Sequence, residues 1–149
     1  MELQDTFKLV HPSIVAIGSR VAFGTPGAPP VFPTILGTGF IVDSRGIVAT
    51  NKHVAELIPN LPRDPQTGAP AAFALVYSER HTNEVGSFIL NFVEIKYLAF
   101  IDTFLPPDGY VGMPVPDFAF IQLEVKDVPA LSLINAPDSL KMGMPVATA

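Results

Sequence analysis

Apolar residues fall into short runs along the chain, separated by stretches rich in proline and glycine. The runs are SIVAIGSRVAF (13–23), ILGTGFIV (35–42), GIVAT (46–50), AAFALVYS (71–78), SFILNFVEIKYLAFI (87–101) and FAFIQLEV (118–125), with MPVATA at 144–149. They are rich in β-branched and aromatic residues and most have the length of a strand. TPGAPPVFP (25–33), PNLPRDPQTGAP (59–70) and LPPDGYVGMPVPD (105–117) lie between them. Proline fixes φ and cannot donate to a ladder, so these stretches are predicted to be loops. The run over 87–101 is longer than the average strand of about 5–6 residues. It is predicted to hold two strands, or one strongly bent strand. Asp43-Ser44-Arg45 between two runs predicts a hairpin turn. Helical periodicity is weak. Glu2–Val10 predicts a short helix with Leu3, Phe7 and Val10 on one side, and His53–Ile58 predicts a single turn. There is no internal repeat and no low-complexity tract. Many short strands with Gly/Pro punctuation predict an all-β domain, a barrel or a sandwich, spanning 1–149 as one unit.

Composition narrows this reading. Hydrophobic residues make up 48% of the 149 and charged residues 15%, against about 25% charged in an average globular protein. Mean hydropathy is +0.39. Such a chain has more apolar surface than one small domain hides, which predicts a face covered by something else. The net charge of −5, without a Lys/Arg cluster, argues against nucleic acid as a partner. With no cysteine, disulfides, thiolate zinc sites and a cysteine nucleophile are excluded within these residues. No run reaches the roughly 18 apolar residues of a membrane span. Residues 1–20 do not read as a signal peptide, because Glu2 and Asp5 stand where a basic start is needed. The compartment stays open.

The chemistry-bearing stretch is Gly37-Thr38-Gly39-Phe40-Ile41-Val42, the turn Asp43-Ser44-Arg45-Gly46, and Ile47-Val48-Ala49-Thr50-Asn51-Lys52-His53-Val54. It resembles the histidine motif of trypsin-like serine proteases, in particular the HtrA-like branch with its G-S-G-F-I hairpin and T-N-x-H-V ending. Upstream, His11-Pro12-Ser13-Ile14-Val15-Ala16-Ile17 is similar to that family's first strand. Downstream, Pro116-Asp117-Phe118-Ala119-Phe120-Ile121-Gln122-Leu123 resembles the segment holding its triad aspartate. Asp138-Ser139-Leu140-Lys141-Met142-Gly143-Met144-Pro145-Val146-Ala147 resembles the stretch that closes its first barrel. The resemblance implies a single antiparallel β-barrel of about six strands, the first of the family's two.

The resemblance also implies two catalytic residues, His53 as general base and Asp117 as its orienter. A neutral imidazole accepts a proton at neutral pH, and a buried carboxylate on Nδ1–H fixes its tautomer. Asp102 is the rival acid, with Asp108 behind it. Plainer readings stand beside these. A histidine after a hairpin is often structural, and an Asp after proline often leads a strand. His11 and His81 read as surface or loop residues. The spacing of His11, His53 and His81 matches no metal-ligand pattern, so neither metal nor cofactor is implied. Gly37-x-Gly39 reads as hairpin packing, because no helix start follows it.

The family's nucleophile sits in G-x-S-G-G on a second barrel. None of Ser13, Ser19, Ser44, Ser78, Ser87, Ser132 or Ser139 has that context. The chain is therefore expected to be the N-terminal half of a serine endopeptidase, inactive alone, whose substrate is a protein or peptide. The missing second barrel is its expected partner, and the isolated half is expected to self-associate. The alternatives are a non-catalytic interaction module and a trypsin-fold protease with a downstream cysteine nucleophile. The long Pro-rich loops depart from the family's pattern and leave substrate specificity open.

Overall fold

The structure, a computed structural model, describes residues 3–19, 34–64, 67–78, 89–100 and 116–132. Among them are six strands: β1 (Ile14–Ser19), β2 (Thr34–Asp43), β3 (Ile47–Thr50), β4 (Ala72–Ser78), β5 (Ile89–Phe100) and β6 (Ala119–Leu123). Every pairing is antiparallel. The order β1-β2-β3-β6-β5-β4 forms a closed barrel, because β1 pairs with β4 as well as β2. Closure leaves no unpaired edge among these strands. The all-β, six-stranded antiparallel barrel expected from the sequence is the observed fold.

The long apolar run at 87–101 holds one strand, not two. Ile89–Glu94 of β5 pair with β4, and Ile95–Phe100 pair with β6. The register shifts between Ile95 and Tyr97 as the strand turns the corner. An extra residue bends a strand and increases its twist, which is how one strand can serve two walls of a barrel.

The interior follows from alternation. Val15 and Ile17 of β1, Ile41 of β2, Val48 of β3, Ala74 and Val76 of β4, and Ile121 and Leu123 of β6 are fully or almost fully buried. Successive side chains of a strand point to opposite faces, so these i, i+2 positions fill the barrel while their neighbours face out. Burying one such Val, Leu or Ile side chain contributes about 1.5–3 kcal/mol.

The turn from β2 to β3 is built by its own sequence. Gly46 donates its N–H to the Asp43 carbonyl at 2.9 Å and adopts φ +87°. A three-residue hairpin loop of this kind needs a left-handed residue in its last position, which glycine supplies at little cost. After β6 the chain returns along this hairpin. Leu123 N–H donates to the Gly46 carbonyl at 2.9 Å, and Leu131 N–H to that of Ile41 at 2.8 Å. Val125 and Val128 pack against the core from there.

Helix α1 (Leu3–Val10) precedes β1, joined by a 3-10 turn at His11–Ser13. Asp5 in its first turn and Lys8 in its last suit the helix dipole. Phe7 remains 58% exposed, its ring 4.8 Å from that of His11. Residues 20–33, 101–115 and 133–149 lie outside the described residues. With them lie the remainder of the 13–23 run, most of two Pro-rich stretches, Asp102, Asp108 and the expected barrel-closing stretch. His81 lies outside them too.

Candidate active site

β3 ends at Thr50, which is buried, and its hydroxyl donates to the Thr38 carbonyl of β2 at 2.7 Å. Asn51 is extended (φ −78°, ψ 145°), and a one-turn helix, α2 (Lys52–Ala55), starts after it. A 3-10 turn at Ile58–Asn60 follows. Val54, Ala55 and Ile58 are buried and seat this segment on the barrel, so His53 is left facing outward. Gly37 permits the seating. A Cβ at Gly37 would lie 2.6 Å from Val54 Cγ2 and 2.9 Å from Cγ1.

The β3–β6 register brings the acid to the histidine. Thr50 pairs with Ala119. Continued two residues past Thr50, the same register sets Lys52 against Asp117, and the turn of α2 moves the His53 N–H onto the carboxylate. His53 N–H donates to Asp117 Oδ1 at 2.9 Å, and His53 Nδ1 lies 2.7 Å from Oδ2. The two residues are 64 apart in sequence. Asn51 Nδ2 donates to Asp117 Oδ2 at 3.1 Å and to the Asp117 carbonyl at 3.3 Å.

These contacts set the protonation. The His53 backbone N–H, above all, holds the Asp117 carboxyl below its ordinary range, with the His53 ring and Asn51 adding to it against some desolvation. An ionised carboxylate only accepts, so the proton between the pair sits on Nδ1, and in the neutral ring Nε2 carries the lone pair. Among the described residues nothing hydrogen-bonds to Nε2. The His53 side chain is 67% exposed and that of Asp117 49%. The carboxylate is thus half-exposed, whereas a buried one was expected. Among the described residues its hydrogen-bond donors come from Asn51 and His53, both in the turn after β3.

The structure therefore brings His53 and Asp117 together. His11 sits in the turn before β1, against Phe7. Among the described residues, no three His, Cys, Asp or Glu side chains cluster as a metal ion would require. In the sequence Asn51 is simply part of the motif, with nothing local to mark a task for it. Its amide is committed to a residue 66 positions away, and the β3–β6 register is the only signal that reveals this.

The closed six-stranded barrel has the trypsin-like fold of HtrA-type proteases, as a comparison with solved structures shows. No family model matches the chain, and no curated protein does. Among solved structures, a variant of the HtrA-type protease AlgW with decapeptide superposes at a TM-score of 0.51 with 14% identity. The match covers 96% of this chain and 38% of that one. The HtrA-type protease AlgW with decapeptide gives a TM-score of 0.46 at 15% identity, over 89% of this chain and 36% of that one. At such identities the likeness is one of fold. The chain spans well under half the length of either protein.

Proposed function

We propose that this chain contributes the histidine–aspartate half of a trypsin-like serine endopeptidase. His53 is the general base and Asp117 its orienter, while the serine and the oxyanion hole come from a second barrel. The observation that carries this reading is the two-point grip of Asp117 on His53, one oxygen on the backbone N–H and the other at Nδ1. The grip leaves Nε2 free to take the proton of an attacking hydroxyl, and the carboxylate stabilises the imidazolium that forms. The absence of a G-x-S-G-G motif from the sequence supports placing the nucleophile elsewhere. A peptide substrate fits the decapeptide carried by the AlgW structure of like fold. Phe118 and Phe120 pack edge to face at 4.8 Å beside Asp117 and stay 42% and 38% exposed. This apolar face supports a seat for the second barrel, and self-association of the barrel when it stands alone.

Peptide hydrolysis tests the reading. In a protein carrying both barrels, His53→Ala lowers kcat/KM by about 10⁴-fold or more. The 149-residue chain alone hydrolyses nothing above background. Labelling by a serine-directed phosphonate, rather than by a thiol reagent, identifies the nucleophile. Hydrolysis by the isolated chain that His53→Ala abolishes would place the nucleophile within it and overturn the proposal. Peptide binding without hydrolysis by the two-barrel protein would make the barrel a binding module.

A further inference from the structure

Asn51 occupies the N-cap position of α2, where an asparagine ordinarily turns its side-chain oxygen back onto the helix's first N–H groups. Here it makes no such bond. Its amide instead points across the β3–β6 seam, with the nitrogen 3.1 Å from Asp117 Oδ2 and 3.3 Å from the Asp117 carbonyl oxygen. Both partners are pure acceptors, so the nitrogen faces them. The Asp117 carboxylate thus has three donors among the described residues: the His53 N–H on Oδ1, and His53 Nδ1 with Asn51 Nδ2 on Oδ2. All three come from positions 51–53.

We infer that Asn51 is a positioning residue: by bonding both the carboxylate and the carbonyl of Asp117, it fixes the rotamer that presents Oδ2 to His53 Nδ1. This rests on the His–Asp pair proposed above. The Nδ1 contact lasts only while the His53 ring keeps its rotamer; when the ring turns, the backbone N–H alone would leave the carboxylate free to pivot about Oδ1. A third donor on the other oxygen, tied to the main chain of the same residue, removes that freedom. The barrel then aligns its own pair with donors drawn from a single turn. An ionic acceptor makes each such bond stronger than a neutral one, which lets an exposed side chain hold its geometry.

The experiment uses the 149-residue chain and the ring nitrogen-15 signals of His53, which report which nitrogen carries the proton. They are read with the ring neutral, at about pH 9. Asn51→Ala and Asn51→Ser are each compared with the unaltered chain, alone and combined with Asp117→Ala. Serine keeps the helix-capping preference but is too short to reach Asp117, and amide spectra confirm that each variant is folded. The expected result is a roughly fivefold fall in the ratio of Nδ1–H to Nε2–H forms in both single variants. On the Asp117→Ala background Asn51→Ala should change nothing further, because Asn51 acts through that carboxylate. An unchanged ratio in the single variants overturns the inference, as does an Asn51 effect that persists without Asp117. If Asp117→Ala alone leaves the ratio unchanged, the His–Asp pair itself falls. If the coupling is present but the two-barrel protein hydrolyses no peptide, the protease reading falls and the positioning role stands.

Discussion

Gly37 of β2 and Val54 of α2 approach so closely that a methyl group on Gly37 would sit 2.6 Å from a Val54 methyl carbon. Val54 adjoins His53 and is 3% exposed. The distance between the histidine and the barrel wall is therefore set by the side chain that Gly37 lacks.

Replacing Gly37 with alanine is expected to push α2 off the barrel, at a cost of about 1–3 kcal/mol from overpacking. Urea unfolding measures the loss. The His53–Asp117 contact should loosen with it, seen as a shift in the His53 ring signals. Val54→Ala in the same chain makes room for the new methyl, so the double variant should recover part of the deficit that a simple sum of the two changes predicts.

Gly46→Ala strains the hairpin for two reasons. The residue holds φ +87°, and a Cβ there would lie 2.9 Å from the Val125 carbonyl oxygen. The left-handed backbone alone costs a non-glycine residue roughly 1–2 kcal/mol. A lower urea midpoint with an unchanged slope is the expected outcome, since the extent of the folded structure should not change.

The same turn contains an acid-sensitive contact. Asp43 is lowered from its usual 3.8 to about 2, first by the Arg45 side chain and then by the Arg45 N–H. Arg45 Nη2 lies 2.7 Å from Asp43 Oδ2 and Nε 2.9 Å from Oδ1. A carboxyl whose folded pKa is depressed stabilises the fold above its unfolded pKa, and loses that contribution as pH falls through the folded one. Asp43→Asn should therefore be less stable than the unaltered chain at neutral pH. The gap should close as pH falls from about 4 to about 2. Urea midpoints of both chains across that range provide the check.

Asp117→Asn tests the acid of the proposed pair. An amide nitrogen facing His53 Nδ1 would favour the ring form with the proton on Nε2, the wrong tautomer for a base. In the two-barrel protein kcat for peptide hydrolysis should fall about 10⁴-fold. KM should stay nearly constant, because substrate binding is not the function lost. A large KM change with kcat intact would assign Asp117 to substrate contact instead.

The β2–β3 hairpin could be read from residues alone, because two apolar runs meet at Asp43-Ser44-Arg45-Gly46, and a left-handed glycine has few other uses there. The course of β5 could not. Its run is apolar throughout, and whether one strand or two results depends on which neighbours it pairs with. Pairing with Asp117 came from resemblance between whole segments, since an Asp after a proline is ordinary on its own. The register of β3 on β6 turns that resemblance into distances. The half-exposure of Asp117 and the aim of the Asn51 amide were not legible. Both depend on which groups meet across a seam between distant parts of the chain, and no local pattern encodes that.

That seam also sets a timetable. Asn51 and His53 leave the ribosome well before Asp117, which follows Asn51 by 66 residues. At about 5–20 residues per second, the histidine waits roughly 3–13 s for its acid. Until β6 docks on β3, the nascent chain holds an imidazole with no fixed tautomer. The contact between His53 and Asp117 is thus a marker of barrel completion, and the last of the six strands to be synthesised also brings the pair together.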